Sequence, residues 1–412
     1  MSKINVIKFV PYFPPHKGGL ESHVQERSQW WIKKGYGDVI NVVTPMGQES
    51  IIENGKLKIE NYDGIYYKNQ LVGYMEAGYQ VVILDAFDLI PVFPFPRFWT
   101  KRFRTTISYL KSQVKGYGKK HTLVNTHTRF FLTSLVGGVF AKYVGITWIH
   151  IEHGVDFVKL ASKFKSWIAY IYDQSIGRYI FRCSDMVIGI SAGCQRFANK
   201  FTQKKIPVIH RGMNFEPMNN EGGIINDESK KKTIIIGFVG RLVKLKGLDL
   251  LLQAFDNLQK KHHNLILEIV GDGDQLDELQ DIVKDLGLEG KVSFLGFKDR
   301  NYVANEFLPH VDIVVNPSYQ EGLPTSVLEG LLSKCVVVAT SVGGTPEISD
   351  QKDLILVDKG NVSDLQKGLE YAIQNHAKLK GLSYEQVKKH FDWKRSIERY
   401  YEVYLGMIGH EK

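Results

Sequence analysis

Short runs of continuous apolar residues alternate along the chain with longer amphipathic stretches. Residues 4–10, 39–44, 81–84, 122–125, 147–151 and 185–191 have the length and composition of buried strands. Between them, residues 20–33 and 131–143 read as helices. The alternation stops over residues 219–232, which are rich in Asn, Gly, Glu and Lys and lack periodicity, as an interdomain linker does. It restarts with strands predicted at 233–239, 265–270, 292–297, 311–315 and 336–340 and helices at 248–258, 327–332, 363–375 and 393–407. Strands alternating with helices predict parallel, doubly wound α/β sheets that take ligands at the carboxyl ends of their strands. A pattern that begins twice predicts two Rossmann-like domains facing each other across a cleft. Their expected bounds are 1–213 and 233–390, with a linker at 214–232. A last helix within 391–412 is placed to cross back onto the first domain.

A chain of 412 residues is too long for one ordinary domain. Its 43% hydrophobic and 24% charged residues suit a globular protein with a large core. Cys183, Cys194 and Cys335 show no metal-ligand spacing and no disulfide framework, which points to a reducing compartment. The N-terminus runs directly into a strand without a signal peptide, and no apolar run is long enough to span a bilayer. A cytoplasmic protein is expected.

Charge divides the chain unevenly. Residues 1–205 hold 28 Lys and Arg against 14 Asp and Glu, whereas residues 206–412 hold 25 against 30. The basic half is suited to an anionic surface or ligand. Nucleic acid fits poorly and is not expected as a partner, because the basic residues are scattered and no recognition motif accompanies them. Two stretches interleave aromatics with Lys and Arg: residues 93–104, with Phe98, Trp99, Lys101, Arg102 and Arg104, and residues 163–172, with Lys163, Phe164, Lys165 and Trp167. Both suit the inner face of a membrane bearing anionic lipid, where rings sit at headgroup level. Both also suit core helices with snorkelling basic ends, and composition leaves the two open.

The densest chemistry lies in Asn316-Pro317-Ser318-Tyr319-Gln320-Glu321-Gly322-Leu323-Pro324-Thr325-Ser326-Val327-Leu328-Glu329. A strand-turn-helix junction presents unpaired amides and a positive dipole end to an anion. Two carboxylates beside such a site suit hydroxyl-rich ligands such as a sugar and a ribose. For Glu329 a capping box with Ser326 is an equal alternative. Arg241 and Lys246 lie on the strand-exit loop Gly240-Arg241-Leu242-Val243-Lys244-Leu245-Lys246-Gly247 and can converge on a diphosphate. In the first half, Gly18-Gly19 precedes a helix and could admit a ligand close to backbone, although no GxGxxG fingerprint accompanies it. His127 and His153 stand at strand exits. His153, followed by Gly154, is the stronger functional candidate, the alternative being a structural hydrogen-bonding role.

Together these residues resemble family 4 of the retaining glycosyltransferases, of GT-B fold, over nearly the whole chain. Glu321 and Glu329 match that family's Glu-x7-Glu motif. Gly240-Arg241 with Lys246-Gly247, Gly271-Asp272-Gly273 and Gly343-Gly344-Thr345-Pro346-Glu347 match in order and spacing. Arg211-Gly212-Met213-Asn214 departs from the usual Asn-Gly-Val-Asp. The resemblance implies a hexosyltransferase using a nucleoside-diphosphate sugar as co-substrate, with no metal and no other cofactor. The C-terminal domain would hold the donor and the N-terminal domain a glycan or lipid-linked acceptor, in assembly of polysaccharide, lipopolysaccharide or glycolipid. It implies donor contacts from Gly19, Arg241, Lys246, Phe297, Gly322, Leu323, Pro324, Thr325 and Glu329, with Glu321 and His153 beside the transferred sugar. A nucleotide-sugar epimerase or hydrolase, or a non-catalytic sugar-nucleotide binder, remains as an alternative.

Overall fold

The computed structural model describes residues 2–15, 18–45, 48, 51–53, 56–58, 63–90, 93–158, 162–213 and 233–409. The predicted linker falls outside these residues. The chain forms two compact units. One comprises residues 1–190, 194–211 and 394–412; the other comprises 191–193 and 212–393.

The first unit is built on an eight-stranded sheet. Asn5–Phe9 lies at its centre between Thr122–His127 and Val39–Val43, both parallel to it. Thr147–Glu152 and Met186–Gly189 extend the sheet on one side, and Tyr79–Ile83 continues it on the other. The central strands are buried throughout, polar Lys8, Asn41 and Asn125 included, as strands of a parallel sheet covered on both faces are. The strand predicted at 81–84 heads a meander that sequence reading missed: Gly64–Tyr67 and Gln70–Glu76 add antiparallel to the sheet edge. A separate hairpin pairs Ala86–Ile90 with Phe93–Pro96. Prolines at 94 and 96 are tolerated there because a two-stranded ribbon is all edge. The last helix, Trp393–Gly409, packs in this unit, where the Tyr401 hydroxyl donates to the Ser2 carbonyl (2.9 Å).

The second unit is a six-stranded parallel sheet ordered Val292–Gly296, Leu265–Val270, Ile234–Val239, Ile313–Asn316, Val336–Thr340 and Leu354–Val357. Numbered along the chain within the unit, that order is 3-2-1-4-5-6. The order reverses between Ile234–Val239 and Ile313–Asn316, so the loops leaving those strands open a crevice at their carboxyl ends. Helix Leu248–Gln259 buries Leu248, Leu251, Leu252, Phe255 and Leu258 against the sheet, an amphipathic spacing visible in the sequence.

Backbone packs directly on backbone beside this crevice. Gly271 has φ +147°, and a Cβ there would sit 1.8 Å from the Gly240 carbonyl oxygen. A Cβ at Gly273 would sit 2.3 Å from the carbonyl oxygen of Leu242. The Gly-Asp-Gly motif thus brings the loop carrying Arg241 and Lys246 against its neighbour. Gly271→Ala should cost about 2–4 kcal/mol through strain and displaced backbone, read as a lower melting temperature. An unchanged melting temperature would contradict this packing role.

Candidate active site

Lys246 and Glu321 arise on the two loops at the switch point of the second unit. The Lys246 Nζ donates to Glu321 Oε1 at 2.6 Å. The same oxygen accepts from the Ser318 hydroxyl (2.7 Å) and from Asn316 Nδ2 (3.3 Å). One carboxylate oxygen therefore carries the fixing bonds while Oε2 takes none of them. Of the three N–H groups on Lys246, one is committed here. Two backbone contacts hold the loops together: Tyr319 N donates to the Leu245 carbonyl (2.8 Å), and Gly247, at φ +66°, approaches the Pro317 carbonyl too closely for a side chain. Arg241 is exposed on the same loop, and its guanidinium makes no hydrogen bond or ion pair among the described residues.

Gly322, Leu323 and Pro324 lead into helix Thr325–Leu332, whose first amides have no intrahelical acceptor. The Gly322 carbonyl accepts from Gly344 N (3.0 Å), which ties the Gly343-Gly344-Thr345-Pro346-Glu347 loop to this turn. The helix starts two residues earlier than predicted, with Pro324 as its cap and no side-chain capping bond. That removes the capping-box alternative for Glu329. Ser326 lies inside the helix, and its hydroxyl accepts from Asn316 Nδ2 (2.9 Å). Glu329 is instead a buried carboxylate with Arg300 Nε 3.6 Å from its Oε1. Arg300, which sequence reading passed over, follows exposed Phe297 in a turn capped by the Asp299 side chain. Arg241, Lys246, Glu321, Gly322–Thr325, Glu329 and Phe297 thus all belong to this unit, on the loops that leave its strands or, for Thr325 and Glu329, on the helix that follows one of them.

The remaining candidates belong to the first unit. There the strand order also reverses, between Asn5–Phe9 and Thr122–His127. Gly19 opens helix Gly19–Lys33, and its carbonyl accepts from Arg211 Nη1 (2.8 Å). A Cβ on Gly19 would meet only that nitrogen, at 3.6 Å, so sterics do not demand glycine. His153 Nε2 is 3.1 Å from His127 Nδ1, and the His23 ring stands edge-on to His153 at 5.9 Å. Burial, opposed by Glu152 and reinforced by Arg27, pushes His153 down to about 3. Burial, together with Arg211 and Arg27 for His23 and with Arg27 and His153 for His127, holds these two well below the usual histidine range. The neutral His127–His153 pair therefore shares one proton in its hydrogen bond and offers dipoles, not charge.

Beneath His153 lies a network that sequence reading did not single out. The buried Arg129 guanidinium pairs with Glu152 (3.1 Å) and Asp173 (3.0 Å). Glu152 also faces His150 Nε2 at 3.3 Å and accepts from Gly154 N (2.5 Å). Burial alone would raise the Glu152 carboxyl, but Arg129 and His150 hold it down to about 2. The turn after the strand is thereby pinned on both sides of His153. Deeper still, Arg27 donates to the Tyr404 hydroxyl (2.7 Å) and lies 3.9 Å over the Tyr400 ring. Lys8, lowered by burial and by Arg27, donates to Ser28 (2.8 Å). Among the described residues no cluster of three His, Cys, Asp or Glu could hold a metal ion.

A model of the family described as glycosyl transferases group 1 matches residues 224–389. An uncharacterised glycosyltransferase of Methanocaldococcus jannaschii is 30% identical over 422 residues, covering 99% of this chain and all of that protein. The chain belongs to the group 1 glycosyltransferases. This glycosyltransferase is also 24% identical to the GPI3 subunit of Saccharomyces cerevisiae phosphatidylinositol N-acetylglucosaminyltransferase, over 98% of the chain and 83% of the relative. Its fold is GT-B: it superposes on Anabaena HepE, solved with UDP and glucose, with a TM-score of 0.69 at 16% identity, over 97% and 99% of the two chains.

Neutral histidines carry a consequence for stability. A histidine with a depressed folded pKa leaves the fold most stable above its unfolded value of 6.5, and stability falls as pH drops toward the folded value. The apparent melting temperature should therefore decline below about pH 6.5, with a shallower decline in His127→Gln, one proton-binding group fewer. An identical pH profile in the variant would contradict the neutral pair.

Proposed function

We propose that this glycosyltransferase is a retaining, family 4 enzyme that moves a hexose-type sugar from a nucleoside diphosphate to a hydroxyl of a glycan or lipid-linked acceptor. The Lys246–Glu321 contact at the switch point, beside a helix N-terminus and with exposed Arg241 on the same loop, is the observation that carries this reading. Arg241, Lys246 and the amides of Thr325–Val327 would bind the diphosphate and stabilise its departure, a task that fixed cations and dipoles perform without a metal. Glu329 would accept from ribose hydroxyls, and Glu321 Oε2 from a hydroxyl of the transferred sugar.

Glu321 is held by Lys246, Ser318 and Asn316, so it is a positioned acceptor and not a free nucleophile. No covalent sugar–enzyme intermediate is proposed. The anomeric C–O bond to phosphate breaks through an oxocarbenium-like state. The acceptor oxygen bonds to the same face, and its proton leaves with the phosphate oxygen. His153, kept neutral, would hydrogen-bond the sugar without adding charge. HepE with UDP and glucose supports the donor class, and the yeast relative, named for phosphatidylinositol, supports a lipid-linked acceptor. Assembly of polysaccharide, lipopolysaccharide or glycolipid at the cytoplasmic face of a membrane is the setting that fits.

The full-length chain should be incubated with a panel of nucleoside-diphosphate hexoses and with glycan and lipid acceptors, in the presence of a chelator, and products identified by mass spectrometry and NMR. One donor should give a glycosylated product with its anomeric configuration retained. Lys246→Ala should lower turnover about a hundredfold or more while remaining folded by circular dichroism. Donor breakdown with no glycosylated acceptor would favour a hydrolase or epimerase. Full turnover in Lys246→Ala would overturn the assignment.

A further inference from the structure

We infer that helix Lys163–Tyr172 is an interfacial anchor that lays its side chains into the headgroup region of an anionic lipid bilayer. The inference deepens the membrane setting proposed above and rests on that reading for its purpose, but its evidence is separate. At about 100° per residue, Phe164, Trp167, Ile168 and Ile171 fall on one stripe of the helix. In a core helix that stripe would be buried. Here it is 66%, 57%, 47% and 44% exposed, while Ala169, on the opposite side, is the residue that packs inward. Asp173 continues the packed side one turn on and is buried in its ion pair with Arg129. The helix is therefore fixed with its apolar side turned outward.

Charge and shape select the occupant. Lys163 and Lys165 fall on the two flanks of the stripe, where their ammonium groups can reach lipid phosphates while the stripe sinks below them. Between Asp88 and Glu152 the chain carries ten Lys and Arg and no acid. A folded, protein-covered interface would not call for so one-sided a charge, whereas an anionic bilayer does. The stripe also has an aromatic continuation. Tyr172 at the end of the helix meets Phe130 (5.5 Å), which meets Phe93 (5.4 Å) on the hairpin. Phe95, on the same face of that strand, meets Phe87 (5.7 Å), and Phe87 meets Trp99 (6.5 Å). Trp99 is 64% exposed and precedes Lys101, Arg102 and Arg104. Ten residues span about 15 Å, so the helix lies in the interface and does not cross it.

The test is flotation of the full-length chain with vesicles of equal parts phosphatidylglycerol and phosphatidylcholine, without donor or acceptor, beside phosphatidylcholine vesicles alone. Binding should occur at low salt on the mixed vesicles and weaken at high salt. The double variant Trp167→Glu/Ile168→Glu should lower partition about tenfold or more. Replacing Lys163 and Lys165 by Gln should lower it about fivefold each. In both variants, circular dichroism and transfer to a water-soluble acceptor should match the wild type. Absence of wild-type binding, or equal binding by the double variant, overturns the anchor. A wild-type dimer split by the double variant overturns it too, because the stripe then covers a second copy. Transfer in solution is measured apart from flotation, so failure of the glycosyltransfer reading and failure of the anchor give different patterns.

Discussion

One hydrogen bond, from Lys246 to Glu321, holds the chemistry of the second unit together. Its partners are separated by 75 residues and come from loops that leave neighbouring strands at the point where strand order reverses. A parallel sheet places such loops side by side whatever their sequence. The ion pair, the Ser318 and Asn316 bonds and the bare glycines at 247 and 271 then convert proximity into fixed geometry. A cation, an anion and a helix N-terminus held close together form a polar surface suited to a ligand that is itself half phosphate and half hydroxyl.

The first unit solves a different problem. Lys8, His23, Arg27, His127 and His153 are all cation-forming; burial and neighbouring cations lower Lys8 well below the usual lysine range and keep the three histidines neutral. Buried basic groups are tolerable when hydrogen-bonded, as Lys8 is to Ser28 and His127 to His153. The carboxylates nearby are spent elsewhere: Glu152 and Asp173 on Arg129. The unit therefore keeps its strand-end histidine uncharged, between His127 and the Glu152–Arg129 network.

The two parallel sheets were legible because fully buried strands read as apolar runs, as residues 234–239 and 336–339 do. The antiparallel edge formed by 64–67 and 70–76 was not, because half-exposed strands mix Gly, Tyr, Gln and Glu with apolar residues and lose the signal. At the site, Glu321, Lys246 and Arg241 could be found from motif spacing. Glu329 could not be separated from a cap until the helix start moved to Thr325. The Arg129–Glu152–Asp173 network was hidden because its members are spread over 44 residues and meet only in the fold. The stripe at 164, 167, 168 and 171 has the same spacing in a core helix as in an interfacial one, and only packing tells which side faces out.

The central claim is that the second unit's crevice binds a nucleoside diphosphate through Lys246 and Arg241. Isothermal titration of the chelator-treated, full-length chain with uridine, adenosine, guanosine, cytidine and thymidine diphosphates tests it most directly. At least one of them should bind saturably, with binding weakened by salt and lost in the Arg241→Ala/Lys246→Ala double variant. Binding to none, or undiminished binding by the double variant, would contradict it.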